Sequence, residues 1–203
     1  MTTLLTHLRV AEKIKERIKD LDLDYFMAGF ITPDSGGKEM THFYKSKNQE
    51  KYIDVKCYYN RHLRPETLLH RSDKTRAFYW GYYFHLIVDN LWSEIYYKPI
   101  KKRYNCKEDF NFLFNQDMCI LDFEYLEQNP ENNIFLIFSS IDVNLEFFLD
   151  FPPALIYDNI KNIKAYYSNV DNKPKNNLQF LKEKDIEEFI ITAVNESINA
   201  FYK

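Results

Sequence analysis

The sequence predicts an all-α protein, a single-domain multi-helix bundle spanning residues 1–203, on three observations. Only 4 glycines and 7 prolines occur in 203 residues, too few turn formers for a many-stranded fold. Apolar residues recur at steps of three and four through several long segments, the period of helices with one buried face. No internal repeat or linker divides the chain, and 45% hydrophobic content in this length suffices for one sizeable core.

Taken in order, Leu4–Leu21 reads as an amphipathic helix. Leu4, Leu8, Ala11, Ile14, Ile18 and Leu21 fall on one side, with Glu12, Lys13, Glu16 and Arg17 on the other. His7 precedes Ala11, Ile14 and Ile18 at steps of four and three, so it points inward, as a hydrogen-bonded core residue or as a ligand. Tyr25–Phe30 reads as helix or as a buried extended link. "TPDSGG" then breaks the pattern, because the residue before a proline disfavours helix and Ser-Gly-Gly is turn chemistry. Asp34 and His42 therefore lie on or beside a loop, where a scaffold can aim them. Asn48–Arg64 carries no clear pattern.

A long helix starts at Ser72 or Asp73, both good N-cap types, and runs through Trp92. Along it Ala77, Gly81, His85 and Asp89 step by four, so two small residues leave room for a neighbouring helix or an ion near the backbone. Further helices are expected over Lys107–Gln128, Ile134–Leu149, Ala154–Tyr167 and Lys182–Tyr202. "NVDNKPKNN" at 169–177 reads as a surface loop.

A net charge of −3 gives no general pull toward nucleic acid. The basic run "YKPIKKRYNCK" reads as a solvated turn or helix face. Cys57, Cys106 and Cys119 are odd in number and form no CxxC pair, which fits reduced thiols better than a disulfide framework or a thiolate zinc site. No apolar stretch has signal-peptide character at the N-terminus, and none reaches the roughly 20 residues that span a bilayer. A cytoplasmic location is expected.

Chemistry concentrates in "GYYFHLIVDNLW", Gly81–Trp92, where His85 and Asp89 lie one helical turn apart among apolar neighbours. A carboxylate in such surroundings needs an arginine, a hydrogen-bonding shell or a metal, because its unpaired charge costs several kcal/mol. HxxxD on a helix can present nitrogen and oxygen to one metal, and serves equally as a structural hydrogen bond.

The order of the polar residues adds to this. His7 on the first helix, "GFITPD" ending at Asp34, "THF" with His42, then His85 and Asp89 on one helix: this succession resembles the zinc-dependent phospholipase C family. The resemblance covers roughly residues 4–92. It implies a phospholipase C-like helical fold and metal ligation by His7, Asp34, His42, His85 and Asp89, so that residues 7–92 carry the site. It further implies that Asp89 bridges two metals and that Asp34 both ligates and assists the attacking water. The family also uses its N-terminal amine, for which Met1 stands six positions before His7, and a third zinc bound by downstream histidines. No histidine follows His85, so at most two metals are expected; Asp117, Asp122 or Glu124 could offer an oxygen-only third site. His70 is a reserve ligand, and His62 is assigned a surface or structural role.

Such a ligand set suits one or two Zn²⁺ ions, with other divalent transition metals possible. Two cations close together would lower the pKa of a held water toward ~7 and offset charge on a phosphoryl transition state. The resemblance thus implies a metal-dependent hydrolase of phosphate esters, a phosphodiesterase first among them. Its substrate would be a small-molecule phosphate ester or lipid headgroup, with Lys74 and Arg76 as phosphate contacts. Two alternatives stand beside it. An HD-type phosphohydrolase needs an adjacent His-Asp pair, and no histidine here precedes an aspartate. A non-catalytic, metal-binding helical interaction module would need only the ligands.

Overall fold

The computed structural model describes residues 2–47, 50–104, 108–131, 138, 140–145 and 152–203. Helix accounts for 72% of the chain and strand for 4%, so the class is helical with one small two-stranded insert.

Helix α1 spans Leu4–Arg17. Thr3 caps it, its hydroxyl accepting the Thr6 N–H at 3.3 Å, and Leu5, Leu8, Ala11 and Ile14 are buried. It ends four residues short of Leu21 because Asp22 is itself a cap: its side chain accepts the Tyr25 N–H at 3.2 Å and opens α2, Leu23–Ile31. The Tyr25–Phe30 stretch is therefore helix rather than extended link. "TPDSGG" does break it, as one 3₁₀ turn over Thr32–Ser35 followed by two glycines and the short α3, Lys38–Thr41.

Helix α6, Asp73–Trp92, begins where the N-cap chemistry places it, with Ser72 Oγ accepting the Thr75 N–H at 3.2 Å. It is the axis of the molecule, packed by α2, by α4 (Val55–His62) and by the C-terminal helix α10 (Glu183–Phe201). Between them lie α5, Pro65–Leu68, and, beyond α6, α7 to α9 described below. Against α2 the packing is backbone on backbone. A methyl group on Gly29 would fall 2.0 Å from the Phe78 carbonyl oxygen, and one on Gly81 2.1 Å from that of Phe26. No side chain fits there. This close approach brings the end of α2 and the 3₁₀ turn beside His85.

Helical backbone continues past Trp92 through a π turn at Ser93–Tyr97 into α7, Lys98–Arg103. Helices α8, Phe110–Gln128, and α9, Pro153–Ser168, match the expected segments within a few residues. The expected loop at 169–177 contains a 3₁₀ turn, Val170–Asn172. Most of the helix expected over Ile134–Leu149 lies outside the described residues; of the described ones Phe138 is helical, while Ser140 and 141–145 are not. Trp92 ties the rear of α6 to the C-terminal half, its ring 4.8 Å from that of Phe189.

The unexpected element is a hairpin. Strands β1, Tyr44–Lys47, and β2, Glu50–Ile53, pair antiparallel from Tyr44↔Ile53 to Lys47↔Glu50. Most of its side chains are exposed, so it carries no apolar alternation to read. Among the described residues no helix is long and apolar enough to cross a membrane.

Candidate metal centre

All five residues singled out by the sequence meet at one place, delivered by four segments: α1, the 3₁₀ turn, the end of α3 and α6. His7, His42, His85 and Asp89 are buried, and the Asp34 side chain is 17% exposed.

Local structure aims each imidazole. His85 lies on α6 opposite the end of α2, and its Nδ1–H donates to the Phe30 carbonyl at 2.7 Å. That bond fixes the tautomer and leaves the Nε2 lone pair directed into the centre. His42 follows α3, and the next residue, Phe43, has φ 53°, a left-handed conformation that costs an aromatic residue roughly 1–2 kcal/mol. The Thr41 hydroxyl donates to the Pro33 carbonyl at 2.7 Å, so its oxygen accepts His42 Nδ1–H at 3.0 Å. His42 Nε2 is then also an unprotonated donor facing inward. Tyr82 on α6 donates to the Thr41 carbonyl at 2.6 Å and holds this corner in place. His7, in the first turn of α1, stacks on His85 with ring centres 3.9 Å apart.

The carboxylates complete the set. Asp89 Oδ1 accepts the Thr2 N–H at 3.1 Å and lies 3.1 Å from His7 Nε2. Its Oδ2 faces the other way, 3.2 Å from His42 Nε2 and 3.5 Å from His85 Nε2. Asp34 Oδ1 lies 3.6 Å from His42 Nε2, and Oδ2 lies 3.9 Å from His85 Nε2.

These separations fit a cation. Two donors about 2.0–2.1 Å from one tetrahedral ion sit roughly 3.3 Å apart. The nitrogens His42 Nε2 and His85 Nε2 are 3.4 Å apart, and as two lone pairs they repel unless a proton or a cation lies between them. Asp34 Oδ1, Asp89 Oδ2 and His7 Nδ1 are buried without a hydrogen-bond partner. Two overlapping groups are close enough to hold an ion each: His7, His85 and Asp89, and Asp34, His42 and His85. Asp89 directs one oxygen toward each group.

The protonation balance differs among the imidazoles. Burial and the neighbouring His85 lower the His7 pKa to about 4, so this imidazole is neutral near pH 7, as a ligand must be. Burial acts on His85 in the same sense but is outweighed by Asp34 and Asp89, which raise it. Burial would raise Asp89, yet with protons rather than a cation on the imidazoles, hydrogen bonds from His42, His7 and His85 hold it well below the usual carboxylate range. The raised His85 and the lowered Asp89 both record the pull of the two carboxylates on positive charge, from protons or a cation, at the centre.

Other expected residues fall elsewhere. His70 is exposed at the turn after α5 and is not at the centre. Arg76 pairs with Asp73 and Lys74 lies over the Tyr25 ring, both at the far end of α6 from Asp89, so neither reaches a phosphate at the centre. Asp117 and Asp122 are buried but answered locally, and with Glu124 they form no ligand group among the described residues. Asp122 accepts from Thr3 Oγ1 at 3.0 Å and Tyr167 OH at 2.6 Å, and burial pushes its pKa up to about 7. His62 is buried and stacks on Tyr79 at 4.8 Å, a structural role. Met1 lies outside the described residues.

Sequence reasoning passed over Thr41, Phe30 and Thr2, which hydrogen-bond to His42, His85 and Asp89. Thr41 is visible beside His42 in "THF"; the others act through backbone groups and leave no side-chain signal. In comparison with known proteins, no family model, no curated protein and no solved structure matches this chain.

Proposed function

We propose that the chain is a metal-dependent hydrolase of phosphate esters, a phosphodiesterase resembling the zinc-dependent phospholipases C. The observation that carries this reading is the meeting of two inward imidazole nitrogens with buried oxygens of Asp34 and Asp89 that accept no hydrogen bond. The order of the five residues along the chain supports it independently. His7, His42, His85, Asp34 and Asp89 would hold one or two Zn²⁺ or similar ions. When bound, such ions supply Lewis acidity toward a phosphoryl oxygen and a water of lowered pKa.

The chain's own residues do the rest. Asp34 is the exposed edge of an otherwise buried set, so it is the carboxylate able to take a proton from an attacking water. The Phe30 carbonyl and Thr41 hydroxyl keep His85 and His42 in their ligating tautomers. A cleft of about 730 Å³ has Thr2 and Asp89 at its inner end and Lys38 and Tyr44 on its wall. Lys38 Nζ lies 3.7 Å from Asp34 Oδ1 and adds positive charge where an anionic ester enters.

The complete burial of the three histidines favours a second reading, a metal-stabilised module without turnover, since structural sites are closed. The exposure of Asp34 and the cleft at Asp89 favour catalysis. Elemental analysis combined with hydrolysis of bis(p-nitrophenyl) phosphate separates them. A metal-loaded protein that turns over the diester, with Asp34→Asn losing more in rate than in metal content, is expected. Metal without turnover would leave the module reading, and absence of metal would end both.

A further inference from the structure

The basic run after the metal helix has a place in the cleft. Asn90, Ser93, Tyr97, Lys98 and Lys101 all line it, spaced by three, four, one and three along continuous helical backbone that starts beside Asp89. The wide turn at Ser93–Tyr97 lies in the middle of this stripe, and π turns occur disproportionately where a helix serves a site. Asp89 and Lys101 are twelve residues apart, or about 18 Å along a helix axis. The cleft therefore has two ends of different chemistry.

Among the described residues that line the cleft, one lysine differs from the others. Lys51 is paired with Glu39 and Lys98 with Glu94, and Lys38 lies near Asp34 at the inner end. Lys101 has no carboxylate partner among the described residues. Its Nζ donates to Tyr97 OH at 3.2 Å, and Tyr97 OH in turn donates to Asn111 Oδ1 at 2.8 Å. This series of hydrogen bonds starts from an ammonium that, among the described residues, has two of its three protons uncommitted, on a wall that also carries the amide of Asn115. Lys102 and Arg103, in the same run, are exposed and do not line the cleft.

We infer that the outer end of the cleft, at Lys101, Tyr97 and Asn111, is a second oxyanion subsite, so that the substrate is an elongated phosphate ester with a second phosphate or carboxylate. The second group's binding is set by Lys101, and the ester's position over the metal centre by the length of the cleft. As a substrate statement this rests on the hydrolase reading; the subsite itself does not.

Isothermal titration of the purified chain with inorganic phosphate, and separately with acetate, tests it in wild type, Lys101→Ala, Lys101→Gln and His85→Ala. Phosphate affinity should fall at least about tenfold in both Lys101 variants, as for loss of a charge-assisted hydrogen bond, and should survive in His85→Ala. Tight phosphate with weak acetate binding assigns a second phosphate to the substrate; comparable binding of both assigns a carboxylate. Unchanged phosphate binding in Lys101→Gln with its melting temperature intact would overturn the subsite. So would binding lost only in His85→Ala, which places the anion at the metal centre alone. A chain devoid of metal would end the hydrolase reading while leaving the Lys101 comparison readable, so the two failures are distinct.

Discussion

Two carboxylates, each buried on a long helix, are treated in opposite ways by this molecule. Asp117 on α8 accepts the backbone N–H groups of Gln179, Phe180 and Leu181 at 3.0, 2.6 and 3.0 Å, and so clamps the segment leading into α10. Its charge is answered by donors that have no other use. Asp89 on α6 is equally buried, yet two of its neighbours turn lone pairs rather than protons toward it, and Oδ2 has no hydrogen bond. Burial of a charge is thus no sign of function by itself. The shell decides: one aspartate has a complete set of protons around it, while the other has the Thr2 N–H at Oδ1 and inward imidazole nitrogens at Oδ2.

The largest expected effect lies on the structural side. Asp117→Ala leaves three N–H groups without their acceptor and should cost about 3–5 kcal/mol in urea unfolding, with metal content unchanged. Asp89→Asn should do the reverse, abolishing metal binding while metal-free stability changes little, because an asparagine there still accepts the Thr2 N–H. If both variants lost stability equally and neither lost metal, the contrast would collapse.

Next comes pH. His7 takes up its proton near 6.5 when unfolded and only at about 4 when native. Between these values the unfolded chain binds more protons, so stability must fall as pH falls from 6.5 to 4, by on the order of 3 kcal/mol. His7→Gln should flatten that slope in denaturation curves across this window. An unaltered slope would place the titration on another group.

The approach of α2 to α6 is the third point of leverage. Gly81→Ala puts a methyl group against the Phe26 carbonyl and should cost roughly 1–3 kcal/mol while weakening metal affinity, since it pushes Phe30 away from His85. The smallest effect belongs to Thr41→Val, which removes the acceptor for His42 Nδ1–H. Metal affinity should drop by roughly 10- to 100-fold with the melting point of the metal-free form nearly unchanged.

Much of the site was legible because its residues ride on periodic helices. His7 and His85 face inward by the same three-and-four spacing that marks Leu8, Ile14 and Leu86 as core, and Gly81 signalled a close helix contact. Asp34 and His42 came from order along the chain, which no periodicity supplies. The hairpin at 44–53 escaped notice because "YKSK" and "EKYI" are mostly solvated, and Asn48-Gln49 is not one of the residue pairs that mark a tight hairpin turn. Ending α1 at Leu21 overlooked Asp22 as a cap, although its type alone permitted that role. The π turn after Trp92 has no sequence signature; within it Tyr96 donates to the Asp185 carbonyl of the C-terminal helix at 2.9 Å. The described part of the basic run is a partly solvated helix face, as its charge implies, but spacing alone does not reveal that Lys98 and Lys101 border a cleft.

The central claim is that a cation completes the shell around Asp89, and metal content measured together with chelator-dependent melting tests it most directly. Purified protein should hold one or two equivalents of zinc or a similar transition metal, and excess chelator should lower its melting temperature, because an ion bound only by the native state stabilises it. Asp89→Asn should contain none and melt identically with and without chelator. Wild-type protein free of metal, with a melting temperature that chelator does not move, would contradict the account.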